Sequence, residues 1–461
     1  MIRKRLPKKT KSAVSKQALK PFDATQLIDI DRLSHEGDGI GFSQGYTVTV
    51  PFSLPGETIL IKHPKYDERS VLAVIDKIEK VSDKRIEPAC EYFAQCGGCD
   101  LQHVDYQEQI ELKQSQFLWQ FKDLLYQDLK GKKKSKIEKP LLSEPFEYRH
   151  RIRLSVNDGK IGFKQAGSNN VIQVDSCLIT HPLLQAKLSV SQDDVVTQLH
   201  SLQSVEWLID DNEQIAIRLI LKKMPNATKL AQLSEYLAEH EVHNIRVEGG
   251  SEIWQNSENL TQKIEYLTYQ YRPGQFTQVN TSVNQKMIAQ AQRWILDSVG
   301  KNEAKLNQAL DLFCGMGNFT LMLAKHFKHT IGMEGAKESI QCALQNTKEN
   351  QKQSEPDKKS ELNELTFLKQ DLFDPSWHER LGFKTFDLVV LDPPRAGAKQ
   401  ICSDIDKIDC DYLLYISCNQ ATLKRDAQLL KRKNFVIERA GIMDMFAQTH
   451  HIETMVLFKK K

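Results

Sequence analysis

The stretch DYLLYISCNQ, from Asp411 to Gln420, decides how the C-terminal third of the chain is read. Its apolar and aromatic run predicts a buried parallel strand that stops abruptly at Ser417, Cys418 and Asn419. In an open α/β sheet, ligands bind beyond the carboxyl ends of the strands, so Cys418 is expected in a cleft as a candidate nucleophile. A free cysteine is more commonly a small buried hydrophobe, and the neighbouring elements must decide between the two.

Those neighbours repeat one design. ALDLF, HTIGME ending at Glu334, LTFLKQD ending at Asp371 and FDLVVLDPPR alternate with helical segments, which predicts a doubly wound, mostly parallel sheet. FVIERAGIMDMF and HIETMVLFKK close the chain and are expected as a hairpin-like return at the sheet edge. Gly315-Met316-Gly317 lies between a strand and a helix, where backbone must approach a ligand closely, but Thr320 stands where a dinucleotide fingerprint needs its third glycine. A nucleoside cofactor without a pyrophosphate fits better, and S-adenosylmethionine is the common one. Glu334 would accept from ribose hydroxyls, and Asp371 suits the adenine side or a helix cap. In Asp392-Pro393-Pro394-Arg395 two prolines must turn the chain and hold the carboxylate rigidly. Glu453, near His450 and His451, is an acid entering an apolar strand, either a base with a raised pKa or an edge-strand charge.

Upstream, 461 residues suggest about three domains. With 40% hydrophobic and 27% charged residues, the composition is that of an ordinary globular protein. Net charge is +3, yet the first twenty residues carry eight Lys and Arg without an acid, so the basic character is local: a phosphate-binding arm or a solvated tail. Leu6 to Leu19 lacks the apolar core of a secretory signal and no stretch reaches transmembrane length, so a cytoplasmic protein is expected. Nine cysteines in a reducing compartment argue for metal or catalytic use.

Phe22 to Ser82 alternates short β-type runs with turns, predicting a small barrel of the oligonucleotide-binding kind, with Arg32, Lys62, Lys65 and Arg69 as candidate phosphate contacts. Cys90, Cys96 and Cys99 follow in C-x5-C-x2-C spacing, with Cys177 the best fourth ligand; zinc and iron-sulfur both fit that spacing. Leu101 to Leu129 reads as one amphipathic helix or two, and residues 130–139 as a lysine-rich loop that touches RNA or is a surface insertion. Pro140 to Tyr271 reads as a small α+β domain in which Arg149, Arg151 and Arg153 share one strand face. The domains expected are thus a tail at 1–20, a barrel at 21–82, a central α+β domain at 83–270 and an α/β domain at 271–461.

Taken together, RLSHEGDGIGF, CEYFAQCGGCDLQH, QFTQVN, DLFCGMGNF, LDPPRAG, SCN and HIETMVLF resemble the RNA 5-methyluridine methyltransferases, in particular the subgroup acting on large-subunit (23S) ribosomal RNA. The resemblance runs from about residue 22 to the end. It departs from the family at Gln420, where proline is usual, and in the lysine-rich loop. It implies a TRAM-like barrel, a Rossmann-like methyltransferase sheet and a [4Fe-4S] cluster on Cys90, Cys96, Cys99 and Cys177. It further implies S-adenosylmethionine among Gln278, Phe313, Asn318, Glu334, Asp371 and Asp392, with Cys418 as nucleophile and Glu453 as base. The substrate would be a uridine flipped out of folded 23S rRNA, and a monomer away from membranes is expected. Two rivals remain: an RNA-base amino-group methyltransferase, which needs no cysteine, and an RNA-binding or redox-sensing iron-sulfur protein.

Overall fold

A computed structural model describes residues 22–23, 25–67, 69–125, 135–300, 306–352 and 362–461. The basic tail at 1–20 and residues 130–134 of the lysine-rich stretch lie outside the described residues. The chain divides into two compact units, one ending at Arg85 and one beginning at Ile86.

In the first unit β1 (Ile28–Leu33), β2 (Gly39–Ser43), β3 (Tyr46–Val50), β4 (Thr58–Asp67) and β5 (Ser70–Lys80) close into a barrel of order β1-β2-β3-β5-β4. Alternation in strands such as YTVTV sends Tyr46, Val48 and Val50 inward, where they meet Ile28, Ile59 and Val71. Buried Glu57 accepts from the Leu54 amide and pairs with the Arg85 guanidinium at 2.5 Å, so its charge is not left alone in the interior. Lys62, Lys65, Arg69 and Arg32 are exposed, with Arg32 5.8 Å above the ring of exposed Phe42.

In the second unit α1 (Tyr106–Leu125) realises the predicted helix and buries Ile110, Phe117, Phe121 and Leu125. After it, β6 (Lys136–Ile137) pairs in parallel with a C-terminal strand, so the end of the lysine-rich stretch is a sheet edge, which its composition did not signal. β7 (Arg151–Asn157), β8 (Lys160–Lys164), β9 (Val171–Ile172), β10 (Leu202–Ile209), β11 (Ile215–Leu221), β12 (Asn244–Gly249) and β13 (Glu252–Asn256) form a seven-stranded sheet of order β13-β12-β11-β10-β7-β8-β9. Short helices α2 (Pro182–Gln185), α3 (Lys187–Gln192) and α4 (Asp194–Thr197), with α5 (Ala227–Glu239), cover its apolar side.

Of the arginine face expected on this sheet, Arg151 and Arg153 share one side of the strand, and Arg149 alone leaves it. The strand begins at Arg151, whose guanidinium pairs with Glu206 at 2.7 Å, and Arg153 donates to Ser204. Arg149 precedes the strand, bridges to Thr180 and lies over Tyr148 and Phe446 instead. Pairing with Glu206 in the adjacent strand and stacking on aromatics satisfy these cations internally.

A hairpin of β14 (Leu260–Ile264) and β15 (Leu267–Tyr271) leads to α6 (Thr281–Ser298) and the C-terminal sheet. That sheet comprises β16 (Gln308–Leu312), β17 (His329–Glu334), β18 (Glu364–Lys369), β19 (Thr385–Leu391), β20 (Asp409–Ser417), β21 (Phe435–Met443) and β22 (Glu453–Lys460). With β6 added, its order is β18-β17-β16-β19-β20-β22-β21-β6. β16 to β20 are parallel to one another, as the alternation with α7 (Thr320–His326), α8 (Lys337–Lys352), α9 (Lys399–Ser403) and α10 (Gln420–Arg432) predicts. The last two strands return as an antiparallel hairpin on this side of the sheet, β22 against β20 and β21 beyond it, and β6 alone lies outside them.

Alternate residues of the central strands feed two apolar layers. Leu388, Val390, Leu414 and Ile416 join α6 and α7, while Val389, Leu391, Leu413 and Tyr415 join α1 and α10. Coverage on both faces explains why these strands are nearly continuous apolar runs.

Candidate active site

The carboxyl ends of β16 to β20 and the first residue of β22 meet around a cavity of about 630 Å³. All six candidate cofactor residues, Gln278, Phe313, Asn318, Glu334, Asp371 and Asp392, line it. So do the candidate nucleophile Cys418 and the candidate base Glu453.

One end of the cavity is built for close approach by a ligand. Phe313, just after β16, holds φ at +66°, a conformation that costs a side-chain-bearing residue about 1–2 kcal/mol. Its ring packs tilted against that of Phe373, with centroids 5.7 Å apart, and both line the cavity. Gly317 holds φ at +95°, a conformation strained for any residue with a side chain, and a Cβ there would also push Leu321 Cδ1 aside from 2.5 Å. The Glu334 carboxylate accepts from the Gly315 amide at 3.2 Å and the Ala336 amide at 2.9 Å, fixing it at the tip of β17. Asp371 Oδ1 accepts from the Phe373 amide at 2.9 Å, closing the turn that presents Phe373. Asn318 exchanges amide hydrogen bonds of 3.1 and 3.3 Å with Asn284 of α6.

The other end holds the reactive groups. Cys418 directly precedes Asn419, whose side chain accepts from the Ala421 and Thr422 amides and so caps α10. Burial first, then the negative charge of Glu453, pushes the Cys418 thiol up to about 11, while Arg395 pulls the other way. Glu453 is buried, and desolvation followed by Asp392 holds its carboxyl well above the usual carboxylate range, again opposed by Arg395. Burial lifts Asp392 to about 7. His451, also in the wall, is pulled down to about 4 by burial and then by His450, so it is a neutral imidazole at pH 7. The site therefore combines a thiol, a carboxyl whose proton affinity is raised by burial, and a cation in one desolvated space.

Several wall residues were not singled out from sequence. Arg395 and Phe446 lie in the DPPR and FVIERAGIMDMF stretches without a role there, whereas Asn284 and Phe373 lie in segments with no local motif. Only spatial convergence identifies them.

Elsewhere in the second unit, Cys90, Cys96, Cys99 and Cys177 are half-buried, and their thiols interact electrostatically with one another. Burial raises the Cys99 thiol to about 12. Among the described residues, however, no group of three or more His, Cys, Asp or Glu side chains is arranged to hold a metal ion. Four half-buried thiols near enough to feel one another's charge are the donor type that zinc and iron-sulfur centres use.

A doubly wound sheet with a glycine turn after its first strand, a carboxylate at the tip of the second and a cavity beyond both is the arrangement of an S-adenosylmethionine-dependent methyltransferase. The family model for tRNA (uracil-5-)-methyltransferase matches residues 163–461. The chain belongs to that family. It is 33% identical over 462 residues to the 23S rRNA (uracil(1939)-C(5))-methyltransferase RlmD of a Shewanella strain, covering 95% of this chain and 97% of that one. The protein of the same name from Vibrio cholerae is 34% identical over 456 residues, covering 95% and 96%. The crystal structure of Pyrococcus abyssi tRNA (uracil-54, C5)-methyltransferase in complex with S-adenosyl-L-homocysteine shares the fold, with TM-score 0.69, 20% identity and coverage of 94% and 99%. Among the described residues no helix is long and apolar enough to cross a membrane.

Proposed function

We propose that this protein methylates C5 of a uridine in 23S ribosomal RNA, with Cys418 as nucleophile and Glu453 as base. The observation that carries the reading is the shared cavity, in which Cys418 and Glu453 line the same space as the glycine turn and Glu334. S-adenosylmethionine supplies the methyl group, held by Gln278, Phe313, Asn318, Glu334, Asp371 and Asp392.

Uracil C5 is a weak nucleophile, which is why a thiol is needed. Addition of Cys418 sulfur to C6 turns C5 into an enolate-type carbon that can accept the methyl group in an in-line displacement. Glu453 then takes the C5 proton. The C5–H electron pair forms the C5–C6 double bond as the C6–S pair returns to sulfur. A carboxyl in a desolvated pocket, with its proton affinity raised, suits that removal. A base inside a folded RNA cannot reach the cavity, so the target uridine is flipped out, and the barrel with Arg32, Lys62, Lys65 and Arg69 grips the backbone. Cys90, Cys96, Cys99 and Cys177 hold a [4Fe-4S] cluster, a structural rather than a reacting group because methyl transfer by this route moves no electrons. The protein acts as a cytoplasmic monomer, organised as barrel, central and methyltransferase domains.

RNA carrying 5-fluorouridine tests the chemistry, since fluorine at C5 cannot leave as a proton. A covalent complex mapped to Cys418 after incubation with S-adenosylmethionine is expected. Methyl transfer to ordinary RNA with no trapped adduct would instead select an amino-group methyltransferase.

A further inference from the structure

Glu453 reaches the cavity at the end of a strap, residues 444–452, that links β21 to β22 and lies outside both strands. The strap also supplies Phe446, His451 and Ile452 to the cavity wall. Irregular backbone is held only by what packs on it, and most of the strap's holds come from one distant segment, residues 99–113. Lys113 Nζ donates to Asp444 Oδ1 at 2.6 Å and to the Phe446 carbonyl at 3.2 Å, and the Tyr106 hydroxyl reaches Asp444 Oδ2 at 2.9 Å. The Asp100 and Leu101 amides both donate to the Gln448 carbonyl at 3.0 Å, and Gln109 and Gln448 exchange hydrogen bonds of 2.9 and 3.2 Å.

The hold closest to Glu453 along the strap is Asp100. Its Oδ1 accepts from the His450 amide at 2.7 Å, and its Oδ2 lies 2.5 Å from His450 Nδ1. Both carboxylate oxygens thus grip one residue. The His450 ring stands 4.2 Å from that of His451, whose ring is 5.7 Å from Phe446, and Glu453 is two residues further on. Asp100 itself directly follows Cys99. The cysteine-bearing segment is therefore physically tied to the strap that delivers the base.

We infer that Asp100 is a positioning residue for Glu453, acting through His450 and the strap. The inference rests on the reading of Glu453 as the base. It makes a step-specific statement, because Cys418 sits on β20 and the α10 cap, neither of which Asp100 touches. Addition of sulfur and transfer of the methyl group should survive loss of the Asp100 grip. Proton removal from C5 and expulsion of sulfur should slow, and a misplacement of about 1 Å in a reacting group costs on the order of a hundredfold.

The test compares wild type, Asp100→Ala, His450→Ala, the double variant and Glu453→Gln on in-vitro transcribed 23S rRNA with ordinary uridine and S-adenosylmethionine. Covalent complex is followed on denaturing gels, and deuterium exchange of residues 444–452 is read in parallel. Asp100→Ala is expected to accumulate methylated covalent complex with release slowed on the order of tenfold or more, and to expose the His450 amide to exchange. The double variant should be no worse than the stronger single, since both changes break one contact. Should Asp100→Ala fail to fold, His450→Ala, which leaves the cysteine segment untouched, is judged by the same criteria. Wild-type release in both single variants, or equal slowing of complex formation and release, overturns the inference while Glu453→Gln still traps complex. Wild-type release by Glu453→Gln overturns the reading of the base and the inference with it.

Discussion

Cys418 and Glu453 flank the last rung of the β20–β22 ladder: Ser417 pairs with Thr454, Cys418 lies one residue beyond it, and Glu453 one residue before. The two therefore leave their strands at the same edge and feel each other's charge. An antiparallel return inserted beside the nucleophile strand puts a thiol and a carboxyl from positions 35 residues apart into one cavity. A parallel return would deliver the start of β22 to the opposite edge of the sheet.

Replacing Cys418 by Ala should abolish methyl transfer, by roughly three orders of magnitude or more for loss of a covalent nucleophile. Binding of S-adenosylhomocysteine, read by calorimetry, should be unchanged, because the glycine turn and Glu334 remain. Substantial turnover by this variant would remove the covalent mechanism.

The charge on Arg395 should set the reactivity of Cys418. Because burial raises the thiol to about 11, iodoacetamide labelling of the Cys418 peptide should climb steadily from neutral pH toward that value. Arg395→Gln should slow labelling at fixed pH by roughly tenfold, the equivalent of one pK unit. Equal rates in the two proteins would show that Arg395 points its charge elsewhere.

Cofactor affinity should depend on Asn284, which no motif marks. Its reciprocal amide pair with Asn318 orients a cavity residue, so Asn284→Ala should weaken S-adenosylmethionine binding about five- to tenfold, the worth of one hydrogen bond of about 1–1.5 kcal/mol. The apparent KM for cofactor should rise more than kcat falls. An unaltered dissociation constant would make the pair a packing feature only.

Stability of the protein without ligands should fall as pH rises. Burial raises Asp311 to about 8 and Asp392 to about 7, against an unfolded value of 3.8. The folded state therefore binds protons that the unfolded state has released, and its stability is full below about pH 4 for these two groups and declines up to about pH 8. Asp311 Oδ2 already accepts from Thr320 Oγ1 at 2.5 Å, while Oδ1 has no hydrogen-bond partner among the described residues. Asp311→Asn keeps that acceptor without the charge, so its thermal midpoint should vary less over this window than that of the wild type. Parallel curves for the two proteins would mean Asp311 stays ionised.

Cys96→Ser should lose iron and the brown colour of the purified protein, with the largest gain in deuterium exchange around residues 90–103. Unchanged iron content would take Cys96 out of the ligand set.

The sequence by itself determined the architecture of the chemistry. Period-two barrel strands, apolar parallel strands ending in Glu334, Asp392 and Cys418, and the glycine turn at Gly315 are local signals, because side-chain alternation and backbone restrictions act over a few residues. Since every parallel strand must end at the same edge, residues at those ends were bound to meet. Tertiary structure alone decided the rest. Arg149, aligned by spacing with Arg151 and Arg153, stacks on Tyr148 and Phe446 instead, and β6, from the end of the lysine-rich stretch, closes the sheet beyond the terminal hairpin. The strap carrying Phe446 and His451 is fixed by Asp100, Gln109 and Lys113, more than 300 residues away in the chain. Backbone outside helices and strands has no periodicity to read, and its hydrogen bonds go to whatever the folded chain brings beside it.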